Sequence, residues 1–68
     1  MKGIIKSYSP QHGYGFIQAQ GKDQDIYFHK KDWQGKNDPA IGNTVDFMWV
    51  MSPKGFKAIQ VKEITYGK

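Results

Sequence analysis

Cysteine and arginine are absent from this chain of 68 residues, and glutamate occurs once. Without cysteine there is no disulfide and no thiolate metal site, which suits a reducing compartment. Stability then rests on packing alone, and a single core of this size supplies only about 3–5 kcal/mol. Long apolar runs are missing too. The opening Met1-Lys2-Gly3-Ile4-Ile5-Lys6 is too interrupted to serve as a signal peptide or membrane span. The expectation is one soluble, cytoplasmic domain over residues 1–68, with no membrane partner.

The missing arginine bears on recognition. Ten lysines against five aspartates and one glutamate leave a formal charge of +4, which favours a polyanionic partner through counterion release. Arginine supplies the planar fork that reads guanine edges or grips phosphate in two-point fashion, whereas lysine is a mobile point charge. Attraction with little arginine-based sequence readout follows.

What the chain has in quantity is turn punctuation. Ser9-Pro10, Gln20-Gly21-Lys22-Asp23, Gly35-Lys36-Asn37-Asp38-Pro39, Gly42-Asn43 and Ser52-Pro53-Lys54-Gly55 divide it into runs rich in β-branched and aromatic residues. Five strands are predicted, at about Lys2 to Tyr8, Tyr14 to Gln18, Asp25 to His29, Thr44 to Met51 and Lys57 to Thr65. No window carries a helical period over ten residues, although Lys30 to Gln34 suffices for a single turn. Five short strands need closure to protect their edges, and a small all-β barrel provides it.

Alternation sorts the side chains. Tyr14 and Phe16 share one face of the second strand, opposite Gly13, Gly15 and Ile17, while Tyr27 and His29 oppose Ile26 and Phe28 in the third. In the first strand Gly3, Ile5 and Ser7 point one way and Lys2, Ile4, Lys6 and Tyr8 the other. The expected core is Ile5, Ile17, Ile26, Phe28, Val45, Trp49, Ile59 and Val61. That leaves Tyr14, Phe16, Tyr27 and His29 as a ring cluster the core does not need, and small soluble proteins rarely expose such a cluster without using it. A bulge in any strand would reverse the faces beyond it.

These residues resemble a known family. Gly13-Tyr14-Gly15-Phe16-Ile17 looks like the first ribonucleoprotein-type motif of the cold-shock domain, Asp25-Ile26-Tyr27-Phe28-His29 like its second, and Lys54-Gly55 with Ala58 and Val61 like its closing strand. The match in order and spacing covers nearly the whole chain. It implies a five-stranded antiparallel oligonucleotide-binding barrel that holds single-stranded RNA or DNA by stacking bases on aromatic rings. It also implies an RNA chaperone or antitermination role in bacteria. Lys6, Tyr8, Tyr14, Phe16, Tyr27 and His29 fall on positions that typical members use for binding. Ser7 stands where the family usually has a surface tryptophan, Lys30 replaces a phenylalanine and His12 a lysine. The loop around Gly35 to Pro39 is shortened and lacks its usual aromatic.

Lys30 and Lys31 add charge where a ring is missing, and Phe56, in place of a proline beside Lys54 and Lys57, offers a displaced ring. The candidate binding set is therefore Lys6, Tyr8, Tyr14, Phe16, Tyr27, His29, Lys30, Lys54, Phe56 and Lys57. Trp33 reads as an inward residue, His12 as a loop residue, and the lysines at 2, 22, 36, 62 and 68 as solvating charges. Two histidines without cysteine or paired acids do not complete a metal site, and no catalytic arrangement or cofactor loop is suggested. A monomer is expected, with a strand-exchanged dimer as the alternative assembly. Two other readings stay open at this point: a protein-interaction barrel that kept the fold with weak or lost nucleic-acid binding, and an RNA recognition motif, which requires two long helices.

Overall fold

Alternating side chains and frequent turns produce five strands in the computed structural model, which describes residues 1–35 and 37–64. They are β1 (Lys2–Ser9), β2 (Tyr14–Ala19), β3 (Asp25–His29), β4 (Thr44–Ser52) and β5 (Gly55–Glu63), with a 3-10 turn, η1 (Lys30–Asp32), after β3. Thr65, the expected end of the last strand, and the lysines at 36 and 68 lie outside the described residues. The strands close into a barrel in the order β1-β2-β3-β5-β4. The β3–β5 ladder runs parallel, so the barrel is mixed rather than wholly antiparallel as expected. Among the described residues no helix is long and apolar enough to cross a membrane, and the absence of long helices removes the RNA recognition motif reading.

The β2–β3 hairpin keeps an unbroken register from Tyr14↔His29 to Gln18↔Asp25. Curvature at its open end depends on Gly15. A Cβ there would collide with the Ser7 carbonyl oxygen and lie 2.9 Å from Phe28 Cε1, so only glycine lets β1 and the core ring approach together.

Ile5, Ile17, Ala19, Ile26, Phe28, Val45, Phe47, Ala58 and Val61 form the core. Two expected members are not in it. Ile59 is only half-buried because one residue of β4, Phe47, faces two of β5 between the pairs Asp46↔Lys62 and Met48↔Ile59. Gln60 sits in this bulge at φ 51°, and the extra residue turns both Ala58 and Val61 inward while rotating Ile59 out. Trp49 is 42% exposed despite sharing parity with Val45 and Phe47. Its strand pairs with β1 only through Asp46, so Trp49 lies past the closed part of the barrel, where its ring packs edge-on against Phe56 at 4.6 Å. Trp33 does pack against the core, as expected. Its indole N–H donates to the Asn37 carbonyl at 2.6 Å, and a Cβ at Gly35 would come within 2.6 Å of its ring.

Candidate nucleic-acid interface

Pairing across the first three strands sets outward side chains in rows. Ser9, Tyr14 and His29 form one row; Ser7, Phe16, Tyr27 and, across the parallel ladder, Lys57 form the next. The rings make one continuous surface. Tyr14 lies 5.8 Å from Tyr27 and 6.3 Å from Phe16, and Phe16 is 6.1 Å from Tyr27, all between ring centroids. Tilted and edge-on contacts of this kind hold each ring in place while leaving π-faces turned to solvent. His12 extends the surface, 5.8 Å from Tyr14, with its Nδ1 2.8 Å from Ser9 Oγ. Strand alternation carries no information about a turn residue, so this ring escapes a reading by parity.

His29 is anchored by the turn that follows it. Its Nδ1 accepts the Lys31 backbone N–H at 3.0 Å, making it the N-cap of η1. In a neutral imidazole an acceptor Nδ1 puts the ring proton on Nε2. The same turn carries Lys30 and Lys31, both exposed, beside the ring, and the Lys30 N–H donates to the Gly13 carbonyl at 2.7 Å.

Tyr8 is not part of this surface. β1 has an extra residue, Lys6, between Ile5↔Ile17 and Ser7↔Phe16, and the bulge reverses the faces beyond it. Ser7 joins Phe16 on the outside, and Tyr8, opposite Gly15, stacks on the core ring of Phe28 at 6.0 Å and 13°. The expected shared face of Lys6 and Tyr8 is thus corrected. Lys6 itself reaches Asp25 at 3.5 Å, and Lys57 reaches Asp32 at 3.9 Å. Exposed pairs like these are weak, so an incoming phosphate competes with the carboxylate at little cost.

A groove of about 520 Å³ runs between Phe16 and Tyr27 on one side and the β4–β5 hairpin on the other, lined there by Ser52, Pro53, Lys54, Phe56 and Lys57. Structure therefore brings together Tyr14, Phe16, Tyr27, His29 and Lys30 on the sheet face, with Lys57 beside Tyr27 on the neighbouring strand and Lys54 and Phe56 across the groove. Lys2, Lys22 and Lys62 are exposed. Among the described residues no group of three or more histidine or carboxylate side chains is placed to hold a metal.

Barrel order and the aromatic face on its first three strands define the class: a small oligonucleotide-binding-type barrel. Residues 1–64 match the family described as the 'Cold-shock' DNA-binding domain, and the chain belongs to that family of nucleic-acid-binding modules. It is 35% identical over 63 residues to cold shock domain-containing protein C2 of Rattus norvegicus, a match covering 88% of this chain and 41% of that protein. To cold shock-like protein CspD of Haemophilus influenzae it is 34% identical over 61 residues, covering 87% of this chain and 85% of the relative. The chain thus spans less than half of the rat protein and most of the bacterial one. In fold it is similar to drosophila Unr CSD456, with a TM-score of 0.79 at 22% identity over 94% of this chain and 26% of that one.

Proposed function

We propose that this protein binds single-stranded RNA or DNA by stacking bases on Tyr14, Phe16, Tyr27 and His29 while Lys6, Lys30, Lys54 and Lys57 attract the phosphates. One observation carries the reading: the core is filled without these rings, yet Tyr14, Phe16 and Tyr27 are locked together at 5.8–6.3 Å on the outside. Every base has a π-face, so such a surface accepts any sequence, at roughly 1–3 kcal/mol per stacked base. Ser7 and Lys30 leave two places on this face without a ring, which raises the share carried by charge. Four lysine–phosphate contacts give a salt slope of about −3 in log K against log salt for a single strand. A surface that holds bases apart from their partners supports a role as an RNA chaperone or in transcription antitermination.

The test is fluorescence titration of a short pyrimidine-rich strand with the wild type and Phe16→Ala, each checked for folding by thermal unfolding. A loss of about 5- to 150-fold in affinity is expected. Unchanged affinity at constant fold removes stacking as the mechanism, and no binding even at low ionic strength favours the protein-interaction barrel.

A further inference from the structure

We infer that the groove under the β4–β5 hairpin is a further base-binding subsite continuous with the sheet face, with Phe56 as its far wall and Trp49 as the residue that positions Phe56. The inference rests on the single-strand reading above and deepens it. Phe16 and Tyr27 form one side of the groove, Pro53 and Phe56 the other, and Lys54 and Lys57 also line it. At about 520 Å³ it falls within the range of small-molecule sites, roughly 300–1,000 Å³. Two lysines beside apolar walls fit a nucleotide, with its base between rings and its phosphate at the cations.

Phe56 has two sides in use. It lines this groove and also a cleft of about 60 Å³ behind it, shared with Met1, Lys22, Gln24, Ile26 and Trp49. Trp49 lines the cleft and not the groove. Its ring meets Phe56 at 4.6 Å and 83°, an edge-to-face contact that fixes the plane of the phenyl ring. The exposed indole, misplaced as a core residue, is well placed as a brace. Ser7, at one end of the row Ser7–Phe16–Tyr27–Lys57, offers no ring. Phe56, one residue before Lys57 at the other end, shares the parity of buried Ala58 and packs against the core, and it still presents a ring to the groove.

Two probes separate base from backbone: a short oligothymidylate and an abasic strand of equal length. Phe56→Ala is expected to weaken the oligothymidylate by about 5- to 150-fold and to leave the abasic strand within about twofold. Trp49→Ala is expected to cost about two- to tenfold for the oligothymidylate alone, with Trp49→Phe restoring the affinity by keeping a ring behind Phe56. If thermal unfolding shows that Phe56→Ala does not fold, Phe56→Leu keeps the packing and removes the stacking face, with the same expected loss. Unchanged oligothymidylate affinity in a folded Phe56 variant, while Phe16→Ala weakens binding, overturns the subsite and leaves the sheet-face reading intact. Loss of stability in Trp49→Ala without base-dependent loss of affinity overturns the positioning role. If Phe16→Ala and the Phe56 variants are all silent, stacking itself fails.

Discussion

The β2–β3 and β4–β5 hairpins differ in one structural respect. The first keeps its register from end to end, and each side chain lies on the face that simple alternation assigns. The second is broken at Gln60, and beyond the break alternation gives the wrong face for Ile59. Regular pairing thus produces a surface whose chemistry can be read from the chain, with apolar Ile17, Ile26 and Phe28 inside and Tyr14, Phe16 and Tyr27 outside. A bulge serves closure of the barrel instead, bending a strand so that Ala58 and Val61 both reach the interior.

The largest expected effect comes from damaging the regular hairpin on its inner side. Phe28 is fully buried between the outward Tyr27 and His29. Phe28→Ala removes a core ring and leaves a cavity, at about 3–5 kcal/mol. That is comparable to the whole stability available to a single core of this size, about 3–5 kcal/mol. The variant is expected to be largely unfolded at room temperature by circular dichroism. A cooperative transition close to that of the wild type would mean that the inner face of β3 is not the core it is described to be.

A smaller effect sharpens the contrast between two tyrosines. Tyr8 follows the Lys6 bulge and stacks on Phe28, whereas Tyr14 lies on the unbroken hairpin and is exposed. Tyr8→Ala is expected to lower stability in urea by about 1–2 kcal/mol. Tyr14→Ala, which removes contacts to neighbouring rings on a partly exposed face, is expected to cost less stability than Tyr8→Ala, about 0.5–1 kcal/mol, and to weaken single-strand binding by about 1–3 kcal/mol. Urea denaturation and oligonucleotide titration of both variants decide it. Reversed outcomes would put Tyr8 on the binding face and remove the bulge as the reason for its placement.

These contrasts show why some of the molecule was legible in its sequence. Ring and aliphatic side chains in β2 and β3 are placed by local alternation, and turn residues fix the strand ends to within about two residues, so the five-stranded barrel and the centre of its aromatic face follow from the chain itself. The positions of Tyr8, Ile59 and Trp49 do not. Lys6 and Gln60 carry no local mark of a bulge; their conformation is imposed when distant strands close the barrel. Trp49 looks like a core residue by parity, and only the end of the β1–β4 pairing at Asp46 exposes it. The groove depends on how the β4–β5 hairpin lies across from Phe16 and Tyr27, a distance relation with no sequence signature.

The smallest expected effect tests that account at Gln60. A residue with a Cβ at φ 51° pays for the left-handed conformation by roughly 1–2 kcal/mol, a cost that glycine does not bear. Glycine, however, loses more conformational freedom on folding, which offsets about 0.5–1 kcal/mol of the gain. Gln60→Gly is therefore expected to stabilise the barrel by about 0.5–1 kcal/mol, raising Tm by a few degrees, about 2–8 °C in a domain this small. Gln60→Val, whose branched Cβ tolerates this region least, is expected to lower Tm. Oligonucleotide affinity should not move in either variant, because Gln60 belongs to neither the sheet face nor the groove. If glycine destabilises and valine does not, the bulge is not held in the left-handed conformation, and the inward placement of both Ala58 and Val61 needs another cause.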